Sequence, residues 1–100
     1  MYGTIAIMKV KPGSEQALNS MFDTWWKERA PTARGAIASS VHHNDSNPSE
    51  FIISVVFDSK ANYEANANDP AQDKWYQELR AMLDADPHWI DGEVLACKHV

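Results

Sequence analysis

The chain has 100 residues, which suits one domain over residues 1–100 with a single core and little room for a second. Its net charge of −5 argues against a nucleic-acid or anionic-membrane partner, since both call for clustered Lys and Arg. The single cysteine, Cys97, excludes an intrachain disulfide, and no stretch approaches the ~20 apolar residues of a membrane span.

Met1 to Val10 lacks the basic region and long apolar run of a signal peptide, so a cytoplasmic location is expected. Tyr2 to Val10 alternates loosely and is rich in Ile and Val, as a strand is. Lys11-Pro12-Gly13 stops it, and Ser14 is positioned to cap a helix through its hydroxyl. That helix is expected from Glu15 to about Arg29, with Leu18, Met21, Phe22 and Trp25 on one face and Trp26 outside the core. Pro31 disfavours helical geometry at Ala30 and ends it.

Gly35 opens a second strand, Ala36 to His43, and the turn formers Asn44 to Pro48 make a hairpin loop. Phe51 to Phe57 is the clearest strand in the chain. Asp58-Ser59 can cap a short helix from Lys60 to about Asn68. Asp69-Pro70 reads as a cap and first residue of a further helix, running to about Ala85 with Trp75, Leu79, Met82 and Leu83 on one face. After Pro87, a last strand is expected over His88 to Lys98.

This order is β-α-β-β-α-β. It predicts an α+β, ferredoxin-like domain: a four-stranded antiparallel sheet with its helices on one face. Two helices cover only one face of such a sheet, yet both faces carry apolar residues. Phe51, Ile53, Val55 and Phe57 alternate with Ile52 and Val56, and Ile5 and Ile7 alternate with Ala6, Met8 and Val10. A second apolar face marks an interface, and a homodimer joined through the sheet faces is the simplest cover.

The stretch from Phe51 to Tyr76, with Phe57-Asp58-Ser59, Tyr63, Asp69-Pro70 and Trp75-Tyr76, and the ending Pro87-His88-Trp89, resemble the antibiotic biosynthesis monooxygenase-like domains of the dimeric α+β barrel superfamily. The resemblance spans nearly the whole chain. It implies a homodimer with a pocket in each subunit, between helices and sheet. It also implies an activity class: members include cofactor-independent monooxygenases of aromatic phenols and quinols, others degrade haem, and many have no known activity. In the phenol oxygenases an Asn opens the second helix and a Trp follows four residues later. Asn62 matches that Asn, while Asn66 stands at the Trp position. In the haem-degrading relatives a His would stand at position 75 and an Asn on the first strand. This chain has Trp75 and, near the second position, Ala6, which argues against haem chemistry because Trp is no axial ligand.

The candidate catalytic residues are Asn62 and Tyr63, to orient a hydroxylated ring, and His43 or His42, to move a proton near neutral pH. Trp25, Asn66, Trp75 and Trp89 are candidate walls of a cleft for a small apolar or aromatic ligand, and core filling is the competing reading of the tryptophans. His42 and His43 are adjacent on a strand and point to opposite faces, so they cannot share a metal, and His88 and His99 stand isolated. No metal site is expected, and without a GxGxxG or phosphate loop no cofactor is expected either. Cys97 reads as a small packed hydrophobe. The function expected is a cofactor-independent monooxygenase of an aromatic phenol or quinol. The alternative is a non-catalytic domain that binds or senses a small molecule.

Overall fold

In a computed structural model describing residues 1–98, the elements follow the expected order: β1 (Tyr2–Lys9), α1 (Glu15–Thr24), β2 (Ala36–His43), β3 (Glu50–Phe57), α2 (Lys60–Ala67), α3 (Pro70–Arg80) and β4 (His88–Glu93). The strands form one antiparallel sheet in the order β2-β3-β1-β4. His99 lies outside the described residues.

Alternation decides what each sheet face meets. On β1 and at the residue after it, Ala6, Met8 and Val10 point to the helices and are at most 1% exposed, as are Leu18 of α1, Leu79 of α3 and Leu83 just beyond it. Phe51 and Ile53 of β3 complete this core. On the opposite face Ile5 and Ile90 are 46% and 49% exposed. Val56, which shares that face, is only 8% exposed. Val94, Ala96 and Cys97 border the same outer depression as Ile5, Val56 and Ile90, so the segment after β4 shields part of this face.

Four local expectations need correction. Ser14 does not cap α1 with its side chain, and its backbone N–H instead closes a turn onto the Lys11 carbonyl. The first helix does not run evenly to Arg29, because Trp25–Arg29 forms a π-helical turn in which the Ala30 N–H donates to the Trp25 carbonyl. Such a turn holds one residue more than an α-turn. The last helix stops at Arg80 instead of Ala85. The Met82 carbonyl and the Asp84 N–H are taken by Lys11 and Lys9, so the chain leaving β1 pulls this segment into extended pairing, and Leu83 bridges Val10. Finally, β4 ends at Glu93; the Val94 N–H donates to the Met1 carbonyl, and residues 94–98 leave the sheet.

Two other caps form as the sequence predicts. The Ser59 hydroxyl accepts from the Asn62 N–H, and the Asp69 carboxylate accepts from the Ala71 N–H with Pro70 opening α3. Among the described residues no helix is long and apolar enough to cross a membrane, and no three His, Cys, Asp or Glu side chains converge as a metal site would require.

Candidate functional site

Between the helices and the sheet lies a cavity of about 450 Å³, within the ordinary range for a small-molecule site. Its walls are largely aromatic: Phe22 and Trp25 from the first helix, Trp75 and Tyr76 from α3, Tyr63 from α2, and Phe57 and Trp89 from the sheet. Phe22 meets Trp75 edge-on at 5.4 Å between ring centres, and Tyr76 and Trp89 stand 6.2 Å apart. Tyr63 is wedged between Tyr2 at 5.3 Å and Phe57 at 5.8 Å.

The sheet floor is polar along one line. Ser39, Val55, Thr4 and Asp91 are paired neighbours across β2, β3, β1 and β4, and all four line the cavity. Three of the four are polar on an otherwise apolar floor. Above this line the Tyr63 hydroxyl donates to Asp91 Oδ1 at 3.1 Å, joining α2 to β4. Thr4 is 7% exposed; its hydroxyl makes a long contact of 3.5 Å to the adjacent Ile5 carbonyl and also interacts with the Tyr63 phenol, opposing the rise in the phenol's pKa. Burial, and then the Asp91 charge beside it, push the Tyr63 phenol up to about 12. Tyr63 therefore stays protonated and donates throughout the physiological range. Burial also raises the Tyr76 phenol, with Asp86 adding to the effect and Arg80 opposing it.

The far end of the cavity is clasped between helices. The Trp25 indole N–H donates to Gln72 Oε1 at 2.8 Å. Arg29 donates through Nη2 to Asn66 Oδ1 at 3.3 Å and lies 3.7 Å from the Asp69 carboxylate. Both clasps start from the π-helical turn and end at or beside the break between α2 and α3.

Of the residues singled out in the sequence, Tyr63, Trp25, Asn66, Trp75 and Trp89 are brought together around this cavity. Trp25 is 7% exposed, so it serves both as core and as wall. Asn62, His42 and His43 are not part of the lining. The Asn62 amide donates to Asp58 Oδ1 at 2.8 Å, beneath the turn at Gly35. His43 packs its ring edge on Phe51 and hydrogen-bonds the Pro48 carbonyl at the hairpin end. His42 pairs with Ile52 and points to the other face of the sheet. The cavity also contains groups the sequence reading passed over, namely Thr4, Ser39, Gln72, Asp73 and Asp91. A polar residue within an apolar strand was the available signal for Thr4; Asp91 stands on a strand that also carries His88 and Glu93, and the shared line depends on strand register.

No protein-family profile matches the sequence, and no curated protein sequence matches it either. Solved structures do match. A protein from Caulobacter crescentus CB15, provisionally named an antibiotic biosynthesis monooxygenase, superposes with a TM-score of 0.83 at 9% identity, over 95% of this chain and 90% of that one. A similarly named protein from Chloroflexus aurantiacus J-10-fl gives 0.72 at 24% identity, over 99% and 96%. A Nitrosomonas europaea protein of unknown function gives 0.78 at 22% identity, over 99% and 93%. Likeness at this level of identity carries the fold and leaves the chemistry to the site. The chain therefore has the fold of the antibiotic biosynthesis monooxygenase-like domains.

Proposed function

We propose that the protein is a cofactor-independent monooxygenase acting on a small phenolic or quinolic aromatic. The observation that carries this reading is the cavity itself, with its aromatic walls and the polar cluster of Thr4, Asp91 and Tyr63. In this reading a flat ring lies against the aromatic walls and its hydroxyl meets Asp91, whose carboxylate has acceptor sites beyond the one Tyr63 occupies. Asp91 takes the hydroxyl proton as electron density leaves the ring for dioxygen, so no free phenolate builds up in the cavity. Dioxygen then takes four electrons from the substrate; one oxygen atom ends as a ring carbonyl and the other as water. The protein's part is to hold the ring, keep water away and accept the proton.

Oxygen-electrode measurements with naphthols, anthrones and quinols test this. Uptake that disappears in Asp91→Asn is expected, and no uptake with any substrate overturns the reading. A non-catalytic binding or sensing role is the second reading. It is favoured by one observation, that among the described residues no histidine lines the cavity. Thermal stabilisation by the same compounds without turnover would select it. We further propose that Ile5 and Ile90 form the centre of a homodimer interface, because both are large, exposed and neighbours across β1 and β4.

A further inference from the structure

The charges around the cavity are one-sided. Among the described residues, the charged side chains lining it are Asp73 and Asp91, and no Lys or Arg lines it. Arg29 and Lys60, cations on the elements around the cavity, are paired with other groups. Arg29 is held by Asn66 and Asp69. Lys60 lies over the Tyr2 ring, 5.6 Å from its centre, and 4.0 Å from Glu64. The aromatic walls add the negative faces of their π-systems, which attract cations and repel anions. Thr4 and Asp91 stand side by side on the floor, both able to accept a hydrogen bond.

We infer that this cavity reads ligand charge: it admits neutral or cationic aromatics that present a hydrogen-bond donor to Asp91, it rejects anionic ones, and Asp91 is the residue that sets the selection. The inference rests on the cavity being the ligand site proposed above and narrows its ligand class. An aromatic carboxylate or phosphate would bring a second anion beside Asp91 with no cation to offset it. Asp91 is exposed, so this like-charge contact disfavours binding by an amount that salt can screen. A phenol hydroxyl or an ammonium group instead donates to the carboxylate, and the ammonium gains a charge-assisted bond. Tyr63 is a positioning residue here, since its hydroxyl fixes where the carboxylate points.

Three ligands of one shape test this: 2-naphthol, 2-naphthoate and 2-naphthylmethylammonium, titrated near neutral pH against the fluorescence of the cavity tryptophans. Simple dehydration of charge would weaken both ions relative to the neutral naphthol. Charge reading predicts instead that the ammonium binds at least as tightly as naphthol, while naphthoate binds at least about tenfold more weakly, a gap of ~1.4 kcal/mol. In Asp91→Asn, an isosteric change at an exposed strand position, the gap between naphthol and naphthoate should close to within about threefold. In the wild type the gap should also shrink in high salt, a check that needs no variant. If naphthoate binds as well as naphthol, or if Asp91→Asn leaves the gap unchanged, charge reading is overturned and the cavity remains a ligand site. Binding of none of the three overturns both. The predicted order of binding without oxygen uptake supports the inference and removes the oxygenase reading alone.

Discussion

The Trp25 indole N–H donates to Gln72 Oε1 at 2.8 Å, and this one bond ties the π-helical turn to the first turn of α3. Both residues line the cavity. Trp25 is 7% exposed, so its N–H has little access to water if the partner is lost. Replacing Gln72 by Leu leaves that donor unsatisfied, at an expected cost of ~1–3 kcal/mol. Each kcal/mol lowers the melting temperature of a domain this size by about 4–8 °C. A thermal melt followed by tryptophan fluorescence measures both the loss and the change in the Trp25 environment. An unchanged melt would show that the bond does not hold the two elements together.

Asn62 is predicted to serve the fold. Its amide bonds Asp58 under Gly35, whose φ of +84° lies in the left-handed region. A Cβ on Gly35 would collide with the Asp58 carboxylate and sit close to the Asn62 amide. Gly35→Ala should therefore cost more than the ~1–2 kcal/mol of left-handed strain alone. Asn62→Ala should cost ~1 kcal/mol and leave ligand affinity in the cavity unchanged. Urea denaturation and a binding titration on the same variants separate the two effects. A loss of affinity in Asn62→Ala without loss of stability would return Asn62 to the functional site.

Tyr63 gives a pH prediction with a definite sign. Its phenol ionises near 12 when folded and near 10, its ordinary value, when unfolded. The folded state therefore holds a proton that the unfolded state releases between these values. The associated stability is fully present below about pH 10 and is lost as pH rises toward 12. An ultraviolet titration should show this tyrosine ionising late. Asp91→Asn should bring it partway back toward 10, since burial is the larger cause and remains.

The exposed outer face predicts a dimer, and the structure identifies which variant tests it cleanly. Val56 lies on that face but is 8% exposed within a single chain. An aspartate there would be buried without a partner and would unfold the subunit, whatever its oligomeric state. Ile5 is 46% exposed, so Ile5→Asp should leave the monomer fold intact and shift the elution volume from dimer to monomer. Light scattering on the wild type that gives the mass of one chain would rule out the dimer directly.

The sequence made the strands and the helix faces legible because those signals are local. Alternation in Phe51–Phe57 assigns its own two faces, and Asp69-Pro70 announces a helix start without help from elsewhere. The site was only half legible. Trp25, Trp75 and Trp89 could be nominated by size and ring chemistry, and all three line the cavity. Asp91 could not, because its role comes from standing beside Thr4 across a strand pair and beneath Tyr63 from a distant helix. His43 shows the converse: its chemistry suits catalysis, and its position at the hairpin end turns it to Phe51 and Pro48. The early end of α3 was hidden likewise, since the competing partners of Met82 and Asp84 arrive from the chain around β1.

The π-helical turn has a consequence for how this chain can vary. Arg29 reaches Asn66 and Asp69 from the end of that turn. In an even α-helix the Trp25 carbonyl would bond the fourth residue on; here it bonds the fifth, so the turn takes up one extra residue locally. Deleting one residue of Trp26–Glu28 would let the Ala30 N–H reach the same carbonyl as an ordinary α-helical bond, and the residues beyond would keep their direction. Trp25 and Arg29 would both stay in place. This turn is thus where the chain should tolerate the loss of a single residue.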